Sequence, residues 1–389
     1  MNYKLHTDRI EQGDGFICLP GAQPYIQIAL DKGAQEILLL NRIELASFGN
    51  RLFNDPSRKL CVIGITGTNG KTTVSKLVAD ALNGAGYKAM VQGTLTSRLT
   101  TPESFETLQN MATHLHNGGT HFVMEVSSHA IDQGRILGID FDIRLLTNIT
   151  QDHLDYHKTF EAYKRTKLSF LEASSSACIY PEHFESISIA YEIPLMGAFN
   201  VKNAQATIAI LRECRVDEGV IQSNLQKASP PPGRFEPIAE GQPYHVVVDY
   251  AHTPDGLDNI LKTGKEMAGS HQLIVVFGCG GNRDRLKRPL MASVAQRYAT
   301  TIIVTSDNPR EESCDQIMSD IKQGFTTTHA VLVVPDRHVA IDRAIGQARE
   351  GDVVIIAGKG HETVQIIGTT HYPFDDRLVA RQAIQKRHF

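Results

Sequence analysis

The residues best suited to chemistry lie between Cys61 and Leu82, where the chain reads CVIGITGTNGKTTVSKLVADAL. Val62 to Ile65 is an apolar run short enough for a buried strand, Thr66 to Gly70 is a turn, and Lys71, Thr72 and Thr73 open a helix. Such a junction suits a phosphate. Gly67, Thr68, Asn69 and Gly70 offer backbone amides to an anion, the helix N-terminus adds its dipole, and Lys71 supplies a point charge. Thr72 would place its hydroxyl on an accompanying Mg2+ ion. The match to G-x-x-x-x-G-K-[ST] is imperfect, because Ile65 stands where the first glycine belongs and Gly64 and Gly67 flank it. A glycine-rich turn that binds nothing is the alternative.

Two more strand ends carry polar groups. Thr120 to Val126 (THFVMEV) contains Glu125 near its end and is followed at once by Ser127, Ser128 and His129. Asp142 to Thr147 repeats the layout and leads into TNITQDHLDYH. Acidic and hydroxyl groups at the carboxyl ends of buried strands sit where open α/β sheets bind ligands.

The elements that must hold these groups follow from periodicity. Val74, Leu77, Val78, Ala81 and Leu82 make one apolar stripe on the helix after the turn. Upstream, Phe16 to Leu40 reads as a small βαβ-like unit with a helix ending near Gly33 and a strand at Glu36 to Leu40, followed by a helix and linker within Asn41 to Lys59. Downstream, Ala89 to Gly93 reads as a strand, about Glu103 to Asn117 and Lys158 to Ala173 as helices, and Ile179 to Tyr180 and Ile187 to Ala190 as weak strands. Ser174 to Met196 is less regular, and Phe199 to Glu213 has helix periodicity. SPPPGRFEPI at Ser229 to Ile238 is a stiff hinge. Beyond it, strands at Val246 to Tyr250, Leu273 to Phe277, Thr301 to Thr305, Ala330 to Val334 and Val353 to Ile356 alternate with helices at Pro254 to Met267, Pro289 to Arg297, Asp315 to Phe325 and Asp336 to Arg349. That alternation predicts a mostly parallel, doubly wound sheet. The expected organisation is an α/β chain of three parts: a small α/β N-terminal domain at 1–57, a P-loop domain with a mostly parallel sheet at 58–232, and a Rossmann-like domain at 233–389.

Bulk properties exclude several functions. Net charge is −4, from 39 basic and 43 acidic residues, without a basic stripe, which argues against nucleic acid and for a small ligand. The six cysteines are scattered with no C-x-x-C pair and read as free thiols in a reducing compartment. MNYKLHTDRIEQGDG has no apolar h-region and no stretch approaches the length of a membrane span, so a cytoplasmic protein without membrane contact is expected.

TGTNGKTT, EVSSHAIDQGR, TNITQDHLDYH, PPPGRFEPI, DYAHTPD, GCGGNRDRLKRP, SDNPREE and AGKGHE occur in this order. Together they resemble the Mur ligase family and, within it, the members that add the third residue of the peptidoglycan stem peptide. TGTNGKT is then the family's own form of the phosphate loop.

The resemblance implies an ADP-forming amide ligase acting in peptidoglycan precursor synthesis on small-molecule substrates; a monomer is expected. ATP would phosphorylate the D-glutamate carboxylate of UDP-N-acetylmuramoyl-L-alanyl-D-glutamate, and the amine of meso-diaminopimelate would displace phosphate. Glu125 and His153 match magnesium ligands. Lys167 matches a lysine carbamylated by carbon dioxide that supports a second magnesium, although with Lys164 and Arg165 it also reads as a solvated face, and Lys164 is an alternative. Asn148, Asn203, Arg234, Asp249 and His252 match nucleotide positions.

Thr100, Thr101, Ser127, Gln133 and Arg135 match residues that hold the acceptor, one threonine being otherwise a helix N-cap. Arg283, Asp307, Asn308, Arg310, Gly358 and Glu362 match the pocket for the incoming amino acid. There D-N-P-R marks members that add meso-diaminopimelate, with Arg310 as a carboxylate fork and an opposing acid such as Glu362.

The chain departs from the family in two places. The loop of D-G-H type expected after LPG is missing, and the stretch between Ser174 and Gly197 is short. Three readings therefore stay open: the diaminopimelate ligase itself, a related ligase acting on a carboxylate acceptor without the nucleotide, and a non-catalytic paralogue.

Overall fold

Parallel strands buried on both faces need continuous apolar runs, and the run at Val62 to Ile65 supplies the middle of such a sheet. In the computed structural model, which describes residues 2–172, 176–327 and 330–388, β4 (Cys61–Thr66) is the central strand of a five-stranded parallel sheet. Its companions are β5 (Ala89–Gln92), β6 (His121–Glu125), β7 (Ile143–Leu146) and β8 (Ala177–Ile179), in the order β5-β6-β4-β7-β8. Ile63 pairs with Val123 on one side and Ile143 on the other, so the carboxyl ends of β4, β6 and β7 open at one edge. The helix Lys71–Gly84 buries the expected stripe, with Val74, Leu77, Val78, Ala81 and Leu82 at most 2% exposed.

Two other sheets flank this one in sequence. β1 (Tyr3–Lys4), β2 (Gly15–Cys18) and β3 (Glu36–Leu39) form a small parallel sheet, with the helix Ile26–Asp31 between β2 and β3. Asn41 then caps the helix Arg42–Phe53, its side chain accepting from the Ile43 and Glu44 amides while the Glu44 carboxylate accepts from the Asn41 amide. That helix packs Phe48 and Phe53 on Phe105, at ring distances of 6.0 and 5.2 Å, and so docks the small sheet on the helix Ser104–His116.

The third sheet contains β9 (Glu236–Pro237), β10 (His245–Asp249), β11 (Leu273–Phe277), β12 (Thr301–Val304), β13 (Val331–Val333) and β14 (Val353–Ala357). Its order is β13-β12-β11-β14-β10-β9, parallel except for β9. This is the mostly parallel, doubly wound arrangement expected from the alternation.

The structure corrects three readings. Ile187 to Ala190 form no strand. Ile187, Ile189, Tyr191 and Ile193 keep the alternating apolar pattern but pack beside the core of the central sheet without a ladder, and the Ile187 carbonyl takes its hydrogen bond from Gln205 Nε2 at 2.8 Å. The Lys158 to Ala173 helix runs from Phe160 to Glu172; Ala173 and the first residues of the irregular stretch, Ser174 and Ser175, lie outside the described residues.

The chain also continues after the strand near Val353 into a hairpin of β15 (Val364–Ile367) and β16 (Thr370–Pro373), then the helix Asp376–His388. The hairpin is exposed on β16 and the helix is arginine-rich, so neither shows a broad apolar pattern in sequence. The helix nevertheless buries Val379, Ala380, Ala383 and Ile384 on the third sheet, and Arg337 and Asp376, both fully buried, pair at 2.7 Å beneath it.

Candidate active site

The turn after β4 closes on itself. Gly67 has φ +142° and Gly70 φ +89°, conformations that L side chains rarely adopt. A Cβ at Gly67 would run into the Thr147 hydroxyl, and one at Gly70 into Asn203 Oδ1. Asn148 holds the turn in both directions, accepting from the Asn69 amide at 3.0 Å and donating to the Asn69 carbonyl at 3.1 Å. Thr68 Oγ1 lies 2.9 Å from the Tyr163 hydroxyl, and its amide donates to the Asn148 carbonyl at 2.9 Å. Lys71 Nζ curls back to the carbonyls of Gly67 and Thr68 at 2.8 and 2.9 Å. Thr73 is buried in the first turn of the helix.

Thr72 is the meeting point of three elements. Its hydroxyl donates to Glu125 Oε2 at 3.0 Å and accepts from Arg234 Nη2 at 3.3 Å. Glu125, buried at the end of β6, also accepts from the Thr94 amide at 2.9 Å and hydroxyl at 3.1 Å. Arg234 reaches in from the proline hinge, its guanidinium 4.3 Å from the Tyr250 ring centroid. Asn69 Nδ2 and the Thr150 hydroxyl both donate to Asp255, at 2.7 and 3.2 Å, tying the turn to the third sheet's first helix, Pro254–Ala268.

Lys167 does not lie on a solvated face. Lys164 and Arg165 are exposed, but Lys167 is 2% exposed and donates to the Gly67 carbonyl at 2.8 Å. Burial, and next the charge of Lys71, pull its pKa well below the usual lysine range. Of the two lysines, Lys167 is the one that faces the phosphate loop.

His153, at φ +55°, and His252 both face Asp152, at 3.4 and 4.0 Å. Burial lowers His153 to about 3 despite Asp152, leaving a neutral imidazole at neutral pH. Burial resists ionisation of Asp152, yet His153, His252 and Lys287 hold it at about 2. Asp249 points elsewhere: its carboxylate accepts from the Phe235 and Ala251 amides, each at 2.6 Å, so it braces the loop that carries Arg234. Asn203, behind Gly70, donates to Asn200 at 3.0 Å.

Thr101, Ser127 and Arg135 form a second group beside Glu125. The Thr101 hydroxyl donates to the Glu125 carbonyl at 2.9 Å and accepts from the Ser127 amide at 3.0 Å, while Arg135 Nη1 donates to the Thr101 carbonyl at 2.6 Å. Arg135 Nε is buried without a partner among the described residues, a donor that suits an arriving carboxylate. Thr100 touches Thr94 at 3.1 Å, and Gln133 turns to the Tyr156 hydroxyl at 3.3 Å. Neither threonine is an N-cap, because Glu103 holds that position without a side-chain bond.

The third group lines the carboxyl edge of the third sheet. Asp307 accepts from the Asn308 amide at 2.6 Å, and Gly358, at φ +117°, leaves room for the Asp307 carboxylate, which a Cβ there would approach to 2.5 Å. Glu362 does not oppose Arg310 directly: it accepts from Asn308 Nδ2 at 2.8 Å and from Lys359 Nζ at 2.9 Å. Arg310, at φ +53°, donates to the Gly281 carbonyl at 2.9 Å. Arg283 is exposed, and its charge acts on both Arg310 and His129 of the central part.

Sequence reasoning passed over Lys359, Asp152, Asp255 and Tyr163. The first three stood inside quoted blocks, AGKGHE, TNITQDHLDYH and DYAHTPD, and for Lys359 a lysine between two glycines after an apolar strand was the available signal.

The Mur ligase middle domain matches residues 65–185, and the Mur ligase glutamate ligase domain matches residues 233–360. A UDP-N-acetylmuramoyl-L-alanyl-D-glutamate--2,6-diaminopimelate ligase of Geobacillus thermodenitrificans is 38% identical over 464 residues, covering 99% of this chain and 94% of that protein. The chain belongs to the Mur ligase family. Its 389 residues are fewer than the 464 aligned positions, so that Mur ligase carries segments absent here.

A like-named Mur ligase of Solibacter usitatus is 38% identical over 401 residues, covering 88% of this chain and 81% of the relative. A solved structure with the same name matches with TM-score 0.61 and 32% identity, covering 100% of this chain and 95% of that one. The MurF ligase of Thermotoga maritima in complex with ADP, at 14% identity and TM-score 0.69 over 99% and 96% of the two chains, shares the fold. None of the helices among the described residues is long and apolar enough to cross a membrane.

Proposed function

We propose that this Mur ligase joins meso-diaminopimelate to the D-glutamate carboxylate of UDP-N-acetylmuramoyl-L-alanyl-D-glutamate, with ATP as the phosphoryl donor. The observation that carries the reading is the convergence of Glu125 and Arg234 on Thr72, which brings the phosphate loop, a carboxylate and an arginine of the proline hinge together. Phosphoryl transfer to a carboxylate needs charge neutralisation and positioning more than covalent help. The donor set of Thr72 hydroxyl, Glu125 carboxylate and neutral His153 fits Mg2+, which when bound would neutralise phosphate charge.

On this reading the chain's own groups do the rest. The amides of residues 67–70 and Lys71 hold the β- and γ-phosphates, and Asn148 and Thr147 fix the loop. Arg135 and the Thr101 and Ser127 group orient the acceptor carboxylate towards the γ-phosphorus. Arg234 stabilises charge as the acyl phosphate forms. The amino acid is held by Asn308, Arg310, Glu362 and Arg283, its amine attacks the acyl carbon, and the tetrahedral adduct expels phosphate. Residues 1–57 would hold the distal end of the acceptor, 58–232 the nucleotide and 233–389 the amino acid, within a monomer.

The missing loop after LPG, together with the shorter chain, favours one second reading: the same chemistry on a carboxylate acceptor without UDP. Phosphate release is measured with ATP, Mg2+ and diaminopimelate, using either the UDP-linked dipeptide or the free dipeptide as acceptor. Turnover that requires UDP supports the first reading, equal turnover without it supports the second, and none with either acceptor removes both.

A further inference from the structure

Far from the phosphate loop, at the opposite end of the central sheet, the fold assembles three soft donors that no sequence spacing announces. Cys61 begins β4, His121 begins β6, and the two are direct partners in the register. Cys214 is the C-cap of the helix Ala198–Glu213. A ring nitrogen of His121 and the sulfurs of Cys61 and Cys214 all lie within 4.8 Å of one another. We propose that Cys61, His121 and Cys214 form a binding site for a soft divalent cation of the Zn2+ class, with solvent or an external ligand in the fourth position.

The surroundings prepare His121 for that role. The Thr120 hydroxyl donates to the Lys88 carbonyl at 3.1 Å and accepts from the Lys88 amide at 3.0 Å. The same hydroxyl lies 2.9 Å from His121 Nδ1, and a cation at Nε2 would select the tautomer in which Nδ1–H donates to Thr120. That tautomer leaves the lone pair on Nε2 for the metal, in the manner of a histidine oriented by a partner behind it. The Tyr87 ring, 4.6 Å away and edge-on, confines the imidazole further.

The donor chemistry selects the ion. Two thiolates and an imidazole suit zinc and are poor ligands for Mg2+, which prefers oxygen. Tetrahedral zinc, with bonds of about 2.3 Å to sulfur and 2.0 Å to nitrogen, sets donor separations of about 3.5–3.8 Å, within reach by small side-chain adjustments. The Asp142 carboxylate acts electrostatically on both thiols and adds negative charge that favours a cation. Cys61 and Cys214 are only partly buried, which leaves a path for the ion and a place for a fourth ligand.

A bound ion would clasp β4, β6 and the helix Ala198–Glu213. β4 leads directly into the phosphate loop, and the same helix carries Asn203 against Gly70 at its other end.

The full chain, reduced and freed of metal with a chelator, is titrated with Co2+ and then Zn2+. The expected result is uptake of one equivalent of Co2+ with thiolate charge-transfer absorption and tetrahedral d–d bands, erased by Zn2+ and untouched by excess Mg2+. Cys61→Ser and Cys214→Ser should lose the thiolate band, Cys178→Ser should keep it, and Thr120→Val, with all three ligands intact, should weaken binding about tenfold. Should either serine variant fail to fold by circular dichroism, Thr120→Val decides, and unchanged affinity there overturns the proposal. So does a missing band in the reduced wild type, an unchanged band in the folded serine variants, or a Cys61–Cys214 disulfide that forms in place of metal uptake.

Discussion

Lys71 and Lys167 donate to the same atom, the Gly67 carbonyl oxygen, each at 2.8 Å. Two ammonium groups on one carbonyl repel, and Lys167 is the deeper of the two, so burial and then the Lys71 charge favour its neutral amine. A neutral buried amine is the form that adds carbon dioxide. The resulting carbamate would turn repulsion by Lys71 into attraction.

Lys167→Ala is therefore expected to slow phosphate release by about 10²-fold or more, the scale of losing one charged group beside a transferring phosphoryl. Short carboxylic acids should restore part of the activity, and labelled carbon dioxide should give a carbamate carbon signal in the wild type that the variant lacks. Lys164→Ala, at an exposed position on the same helix, should leave both readouts unchanged.

Gly67→Ala tests the turn itself. The added Cβ meets Thr147 Oγ1, which is engaged with the Asn69 carbonyl at 2.6 Å, and the φ of +142° is one that alanine resists. The strain should cost about 1–3 kcal/mol, felt as an ADP affinity weakened roughly 5- to 150-fold. Calorimetric titration of ADP into a folded variant measures it, and wild-type affinity would show that the turn opens without cost.

β4, β6 and β7 could be read from sequence because each is a short apolar run with polar groups at its carboxyl end, and the Lys71–Gly84 helix because its stripe is clean; β8, at Ala177–Ile179, is too short to give more than the weak signal at Ile179 to Tyr180. Lys167 could be placed only by resemblance: its neighbours Lys164 and Arg165 give the local sequence a solvated character, and only the packing of Tyr163 and Phe170 on either side reveals a buried face. The Cys61, His121 and Cys214 cluster had no signal at all, because strand register and a helix end bring it together. The terminal helix was hidden for a similar reason, since its arginines mask four buried apolar residues.

Asp249 gives a pH test. Burial raises its carboxyl to about 6, with the Arg234 charge and the Phe235 and Ala251 amides opposing. The folded value lies above the unfolded value near 4, so the native state holds the proton more tightly. The stabilisation is full below about pH 4 and is lost as pH rises through 6. Two units correspond to at most about 3 kcal/mol. Against Asp249→Asn, the wild type should therefore gain relative stability between pH 7 and pH 4. Unfolding midpoints of both proteins across that range check this, and parallel profiles would exclude the shift.

Lys359 gives a test of the amino-acid pocket. The ammonium is fully buried and satisfied by three acceptors: Asn308 Oδ1 at 3.0 Å, Glu362 Oε2 at 2.9 Å and the Val364 carbonyl at 2.7 Å. Asn308 Nδ2 in turn donates to Glu362, and its Oδ1 accepts from the Ile366 amide, so lysine, asparagine and glutamate form a closed triangle. Lys359→Met keeps the unbranched stem to Cε and removes the ammonium. Glu362 retains some solvent access, which holds the loss to about 1–3 kcal/mol instead of the larger cost of stranding a fully buried ion. Because the triangle sits among residues assigned to the incoming amino acid, and it is His361 of this loop that touches Arg234, the loss should appear as a KM for diaminopimelate raised roughly 5- to 150-fold, with the KM for ATP within about twofold. An equal rise in both constants would mean that Lys359 supports the fold at large, and no rise in either would remove Glu362 and Asn308 from the pocket.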